Sequence, residues 1–399
     1  WRRWEPRAWI PPKWRIWRSD SEVLMATLND TTINDTGFLT LPVGSQGQRP
    51  SASQGMVRYN SDHSNASLEF YDGSQWRPVT GFSGGTVGTG GNSIVYGNNG
   101  ISHMFTSTGS HTFTPTFTGN VRVLVVGGGG GSGYDWAGGG GGGGVIYERA
   151  YPVTAGSGIS INVGSGTGSH YGPGWSQGST PGNPSSFAGL TAVGGGGSGC
   201  WGHPPSGRSE PSWTGRPGGS GGGGGNTGDG TDSRRRVRAG DGTTGQGYPG
   251  GSGVRFNTSG DNCHWGGGGG GAGGRGRDCA DERQNAMDDP MRGPGSATDI
   301  LGPPLYFGGG GAGGAHHGHG YCTGGVGGGG GGGIYHGSPF RPGTERNGLG
   351  GGQALNHGQP AGAHRNRSDG GNGGANTGGG AGGGQWGQRG GDGIVIVRY

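Results

Sequence analysis

Lysine is almost missing from this chain: Lys13 is the only one among 399 residues. A Walker-type phosphate-binding loop needs a lysine directly after its glycines, and none follows a glycine run here; the many windows that satisfy G-x-G-x-x-G are expected by chance in glycine-run sequence and carry no weight. Hydrophobic residues are scarce too, at 27%, and a conventional apolar core cannot run through the whole length. No apolar stretch approaches the ~20 residues of a membrane span. The opening residues alternate Trp and Arg where the apolar stretch of a secretion signal would stand. The sequence therefore reads as a soluble chain with no membrane insertion. Four cysteines, Cys200, Cys263, Cys279 and Cys322, form no C-x-x-C pair, which argues against a zinc knuckle. A short loop closed around one glycine run favours pairing Cys263 with Cys279, and unpaired buried thiols are the alternative. A net charge of +4 is too small over this length for a bulk polyanion binder, so no nucleic-acid partner is expected.

Catalytic signatures are equally thin. Gly218-Gly219-Ser220-Gly221-Gly222 satisfies G-x-S-x-G, but such matches arise by chance in glycine runs. There is no H-E-x-x-H and no well-spaced carboxylate pair on regular structure. His316, His317 and His319, near Tyr321 and Cys322, are too tightly spaced for a metal site and lack carboxylates, so a histidine-bearing turn is the simpler reading. The chain reads as a non-enzyme with no cofactor and no metal.

What the chain does have is glycine, 114 residues of it. The glycines gather into runs at 127–131, 138–144, 194–197, 221–225, 266–271, 308–311 and 327–333, with shorter mixed runs to 382–384. Abundant glycine with little apolar surface ordinarily predicts disorder. Here, however, the block is framed by two β-branched stretches, 121–126 and 394–399, of the kind that pair in a sheet. No strict G-X-Y period runs through it, which excludes collagen. Serine is sparse within the runs and each insertion differs in chemistry, unlike a flexible linker. What remains is a packed bundle of polyglycine II rods, each rising about 3.1 Å per residue, so that seven residues span roughly 22 Å. Such a rod has no internal hydrogen bonds, and its amides reach neighbouring rods only where no β-carbon holds the backbones apart.

Four regions follow. Residues 1–24 are rich in Trp and Arg; Trp4, Trp9, Trp14 and Trp17 are candidate docking anchors, and an upstream extension packed where it can is the alternative. Residues 25–83 read as a small β-rich module with strands around 38–41, 55–60 and 68–71, then an Asp72-Gly73 turn and Trp76. Residues 84–103 read as a linker with at most one strand, around Ile94-Val95-Tyr96. Residues 104–399 form the glycine-rich region, whose insertions return side chains to the chain and should carry its function. Trp201, His203 and Trp213 suit stacking on sugar rings, and a self-packed loop suits them equally. Arg234, Arg235, Arg236 and Arg238 carry three equal readings: a grip on envelope phosphate or carboxylate, a solvated charge run, or neutralisation by Asp278, Asp281, Glu282, Asp288 and Asp289. Trp136 and Trp265 flank glycine runs, where an indole caps a bundle end; Trp265 is also a candidate receptor contact.

Several linked motifs carry a resemblance. Leu41-Pro42-Val43-Gly44, Gln48-Arg49-Pro50, Gly55-Met56-Val57-Arg58-Tyr59-Asn60 and Leu68-Glu69-Phe70-Tyr71-Asp72-Gly73-Ser74-Gln75-Trp76 together resemble a module recurrent in tail and fibre proteins of tailed bacteriophages. Phe105-Thr106-Ser107, Gly109, His111-Thr112-Phe113-Thr114, the stretch 121–126 and the terminal 391–399 are similar to the glycine-rich domain of many phage tail proteins. The alternation of glycine runs with variable insertions resembles the tip adhesins of T4-like phages. The resemblance implies a mostly β fold with polyglycine II: a small N-terminal β module, then a β-sandwich-like frame enclosing a rod bundle joined by irregular loops, with almost no α-helix. It also implies a virion tail-fibre adhesin exposed outside the host cell. Its N-terminal region would attach to other virion proteins, and its loops would recognise a host-surface polysaccharide or outer-membrane protein. A purely structural virion subunit, whether fibre spacer, tail or capsid-decoration protein, is the alternative. A homotrimer is expected because 105–126 and 394–399 lack enough apolar partners of their own.

Overall fold

The computed structural model describes residues 41–62, 67–83, 88–97, 100–168, 179–200, 213–226, 236–258, 261–278, 293–316, 322–335, 348–364 and 367–399. The chain divides into two compact units, Trp1–Gly85 and Thr86–Tyr399. Among the described residues it is mostly β, with several open sheets, no closed barrel and one short 3-10 turn at Gln46–Gln48 as its only helix.

The first unit holds a four-stranded sheet in the order Val43–Gly44, Val57–Asn60, Ser67–Tyr71, Trp76–Ser83. Its last hairpin closes on Asp72, whose carboxylate accepts the backbone N–H of Ser74 and of Gln75 at 2.8 Å each. Gly73 completes the turn at φ +101°, a conformation glycine adopts without steric cost. Of the stretch 38–41 only Leu41 is described, and it lies outside any strand. Residues 1–40, with Trp4, Trp9, Trp14 and Trp17, lie outside the described residues.

The second unit is framed by a five-stranded sheet in the order Ser93–Gly97, Gly100–Phe105, Ile394–Arg398, Gly119–Val126, Val145–Val153. The last strand of the chain thus lies in the middle, with Val395 opposite both Phe105 and Val125. Alternation gives its two faces different partners. Phe105, Val121, Val123, Val125, Val395 and Val397 pack against Phe113, Ile161, Val163 and Phe187 of a second sheet ordered Leu190–Ala192, Ser185–Phe187, Ile159–Val163, Gly109–Phe113. Met104, Leu124, Val126, Ile394 and Ile396 pack on the other side against Ile300 and Phe307. A strand buried on both faces reads as an unbroken apolar run, which is why 123–126 and 394–397 show no alternation. Two expectations are corrected. The first is the premise that these strands lack apolar partners of their own: they find them within the chain, which leaves the oligomeric state itself untouched. The second is the linker expected over 84–103 with at most one strand: 93–103 form most of a hairpin of the main sheet, Ser93–Gly97 with Gly100–Phe105, and their partner strand is nearly 300 residues away, where no local pattern could announce it.

Between the sheets and the insertions the glycine runs lock together through their amides. The run 138–144 is wholly buried. The N–H groups of Gly138, Gly141 and Gly144 donate to the carbonyls of Gly199, Gly196 and Val193, those of Gly139 and Gly142 to Gly267 and Gly270, and those of Gly140 and Gly143 to Ala381 and Gly378, all at 2.8–3.0 Å. Every third amide therefore meets the same neighbour, antiparallel where partner numbers fall and parallel where they rise. Its carbonyls repeat the pattern on three further runs. Ala137 and Gly140 accept from Gly314 and Gly311, Gly139 and Gly142 from Gly223 and Ser220, and Gly141 and Gly144 from Gly130 and Gly127. One run is thus bonded to six others, with its amides leaving in three directions. A β-carbon built at any position from 138 to 143 would fall on a carbonyl oxygen of a neighbouring run, so glycine is required by the approach of backbones rather than by flexibility.

Candidate functional site: the insertion end of the glycine lattice

Hydrogen bonds along the lattice give every run a direction. Gly127, Val193 and Gly378 lie level with 143–144, while Gly199, Gly223 and Gly314 lie level with 137–139. At the 144 end the chain passes straight into the sandwich, at Val126, Val145 and Ile394, or turns back through short connections such as 243–247, 271–274, 326–328, 353–356 and 375–378. Toward the 137 end stand the described residues that flank the long insertions, 168 and 179, 200 and 213, 226 and 236, 316 and 322, and 335 and 348, with 278 where the remaining insertion leaves; that insertion rejoins at 293, level with about 141. The hairpins Gly253–Thr258 with Asp261–Trp265 and Gly362–His364 with Arg367–Asp369 stand at this end as well. Residues 88–105 lie in the sandwich, so the chain enters the unit opposite its insertions.

The sequence-derived candidates distribute as follows. Trp201, His203, Arg234, Arg235 and Cys279 lie outside the described residues. Trp213 stands half-buried where its insertion rejoins the lattice, its carbonyl accepting the Gly225 N–H at 2.8 Å. Arg236 is exposed and pairs with Asp278 at 3.2 Å; Arg238 is exposed and pairs with Asp241 at 2.8 Å. For Arg236 the intramolecular neutralisation by Asp278 is the arrangement found; such surface pairs contribute little stability. Trp265 is a correction: it is buried with Val254, Ala312, Ala315 and Cys322, so its indole supports the lattice end instead of standing open to a receptor. It gets there because strand pairing sets Trp265 opposite Val254. Cys263 pairs through its backbone with Phe256 across that hairpin.

A tight cluster at the same end surrounds Trp136, the indole expected to cap a bundle end; its other members carried no signal in composition. Asp135 and Trp136 both have positive φ, 60° and 56°, in a turn where their N–H groups donate to Gln385 and Gly384 carbonyls at 3.0 and 2.9 Å. Trp136 is buried, Tyr134 meets Trp386 edge-on at 5.1 Å, and Asn226 Nδ2 donates to the Trp136 carbonyl at 3.2 Å. Burial pushes the Asp135 carboxyl up to about 6. The available signal was position, since each of these residues lies within a few positions of a glycine run. Another polar cluster ties a hairpin to the sandwich: Asp299 Oδ1 accepts from Arg122 Nη2 at 2.6 Å and from the Tyr147 hydroxyl at 2.8 Å.

A family model described as a glycine-rich domain matches residues 106–353, more than half of the chain. The chain belongs to the glycine-rich domain family. The matched span starts in the sandwich after Phe105 and takes in the central run with most of its neighbours. The remaining glycine-rich residues, 354–399, supply the run 378–384 and the middle strand of the main sheet. No curated protein matches the chain.

Proposed function

We propose that this chain is an adhesin of a tailed-phage particle, attached through its N-terminal region and recognising a host-surface polysaccharide or outer-membrane protein through the insertions of its glycine-rich unit. One observation carries the reading: all the long insertions leave the lattice at one end, while the chain enters at the other. A scaffold that gathers chemically different loops at a single end, on backbones fixed by hydrogen bonds, suits multivalent recognition. The resemblance of the 41–76 motifs to phage tail and fibre modules supports the particle assignment. In a particle carrying this chain, exchanging 201–212 and 227–235 for the matching insertions of a related protein should move host range. Adsorption unchanged after every long insertion is replaced by a short Gly-Ser loop would sink the adhesin reading and leave the spacer.

The runs themselves are proposed to be polyglycine II rods. The support is the repeat of every third amide to the same neighbour, the period of a helix with three residues per turn. A crystal structure with φ near −75° and ψ near +145° through 138–144 is the expected result; antiparallel β values there would exclude it.

A further inference from the structure

The sheet of residues 41–83 has its polarity reversed. On one face Arg58, Asn60 and Glu69 are buried. Glu69 pairs with Arg49 at 2.6 Å and with Arg58 at 3.5 Å. Arg58 also donates to the Ser45 carbonyl at 3.0 Å and lies 5.9 Å from the Trp76 ring centre. By register the other face carries Val43, Tyr59 and Leu68 in one row and Val57, Phe70 and Arg77 in the next. Val43 is 67% exposed, Val57 41%, Tyr59 39% and Phe70 36%. From 41 to 77 no described hydrophobic residue is buried. Beside this ion cluster the described side chains of the paired strands add to the same face only the half-buried pair Tyr71 and Trp76, ring centres 5.6 Å apart, too little apolar interior for so small a sheet, so the apolar face calls for a cover.

We propose that a second copy of this chain docks on that face. Charge decides the occupant. Among its described side chains the face has one ionised group, Arg77, and that guanidinium is already paired with Asp72. An identical face therefore meets it with no like-charge repulsion and no unpaired charge taken out of water. The basic 1–24 segment, with Arg2, Arg3, Arg7, Lys13, Arg15 and Arg18 against Glu5, Asp20 and Glu22, would bring surplus cations onto a surface that holds no anion for them. Strand addition at the edges is a poorer route: Val43–Gly44 spans two residues and the opposite edge strand contains Pro78, both features that blunt an edge. Contact is face to face.

The test is the mass of the full chain in solution by light scattering between 1 and about 100 μM, concentrations at which micromolar association registers. Wild type is expected to self-associate, and Tyr59→Glu with Phe70→Glu to weaken association at least ~100-fold by setting carboxylates against each other. Val43→Asp, at the most exposed position, guards against misfolding; it should weaken association while amide exchange of strands 57–60 and 67–71 shows the sheet intact. A wild-type chain that stays monomeric overturns the proposal, as does association that survives both variants. A monomer that begins to associate only once 1–40 is removed assigns the cover to that segment and overturns it too. None of these outcomes depends on receptor binding, so they separate from the adhesin reading.

Discussion

Gly141→Ala puts the lattice to the sharpest test. A β-carbon at Gly141 would overlap the Ser220 carbonyl oxygen and sit 2.8 Å from the Gly221 carbonyl. An unstrained carbon contact needs about 3.5 Å or more, so the run 218–225 must retreat by roughly 1 Å. That retreat stretches the bonds from Ser220 N–H to Gly142 and from Gly223 N–H to Gly139, now 3.0 and 2.8 Å, to about 4 Å, beyond hydrogen-bonding distance. Both bonds are buried, so the expected loss is about 2–6 kcal/mol, the sum of two modest bonds and the desolvation of their stranded partners. Gly189→Ala is the control: nothing lies within 4 Å of its β-carbon and its φ is not positive, so the same substitution should stabilise by about 0.4–1 kcal/mol through the unfolded chain. Urea unfolding of the two variants beside wild type reads the difference. Equal midpoints for Gly141→Ala and Gly189→Ala would show that close backbone approach is not what requires glycine here.

Four further outcomes are expected. Asp135 is held protonated to about pH 6 by burial, so the unfolded chain loses its proton first and the fold loses stability as pH rises from about 4 to 6; Asp135→Asn should recover on the order of 1–2 kcal/mol at pH 7 in thermal unfolding, a figure reduced for partial exposure. His103 Nδ1 donates to the Gly90 carbonyl at 2.7 Å and Nε2 accepts the Tyr399 hydroxyl at 3.0 Å, and burial lowers its pKa. Its contribution is therefore whole above the ordinary histidine range and is lost as pH falls through it; melting temperature against pH should show that slope in wild type and a flatter one in His103→Gln. The Cys322 thiol is pushed up to about 12 by burial, so peptide mapping after iodoacetamide at pH 8 should find it unmodified in the native protein and modified in urea. Glu69→Gln strips Arg58 of its buried partner and should destabilise the first unit by about 3–5 kcal/mol, read as faster amide exchange of strands 57–60 and 67–71.

The legible part of the glycine-rich unit was its frame. Val121 to Val126 and Ile394 to Val397 announce strands by β-branching alone, and they pair as such. The hairpin at 93–105 does not announce itself, because Gly100–Phe105 acquires its reason to be a strand from Ile394–Arg398. The need for glycine was legible as well, from the geometry of rods whose amides point outward. The choice of neighbours was not: 138–144 bonds to runs between 127 and 381, and one glycine run is chemically the same as another. The direction of the insertions lay in the sequence unread. Short returns such as 271–274 and 326–328 alternate with long insertions such as 279–292 and 336–347, and alternation in a chain that runs back and forth puts all the long connections at one end.

The first unit shows the limit of pattern reading more sharply. Val57-Arg58-Tyr59-Asn60 alternates apolar with polar, and the usual inference sends the apolar side chains inward. Alternation fixes only that Val57 and Tyr59 share one face and Arg58 and Asn60 the other; which face is interior depends on what else packs there. Within 41–77 the 3-10 turn at Gln46–Gln48 and Arg49 fold over the Arg58 side, where Arg49 and Ser45 supply partners for Glu69 and Arg58. The polar face is thereby closed within the chain. Among the described residues nothing covers the apolar face; burial of Tyr59 and Phe70 is what the proposed second copy would supply, and no reading of a single strand could show it.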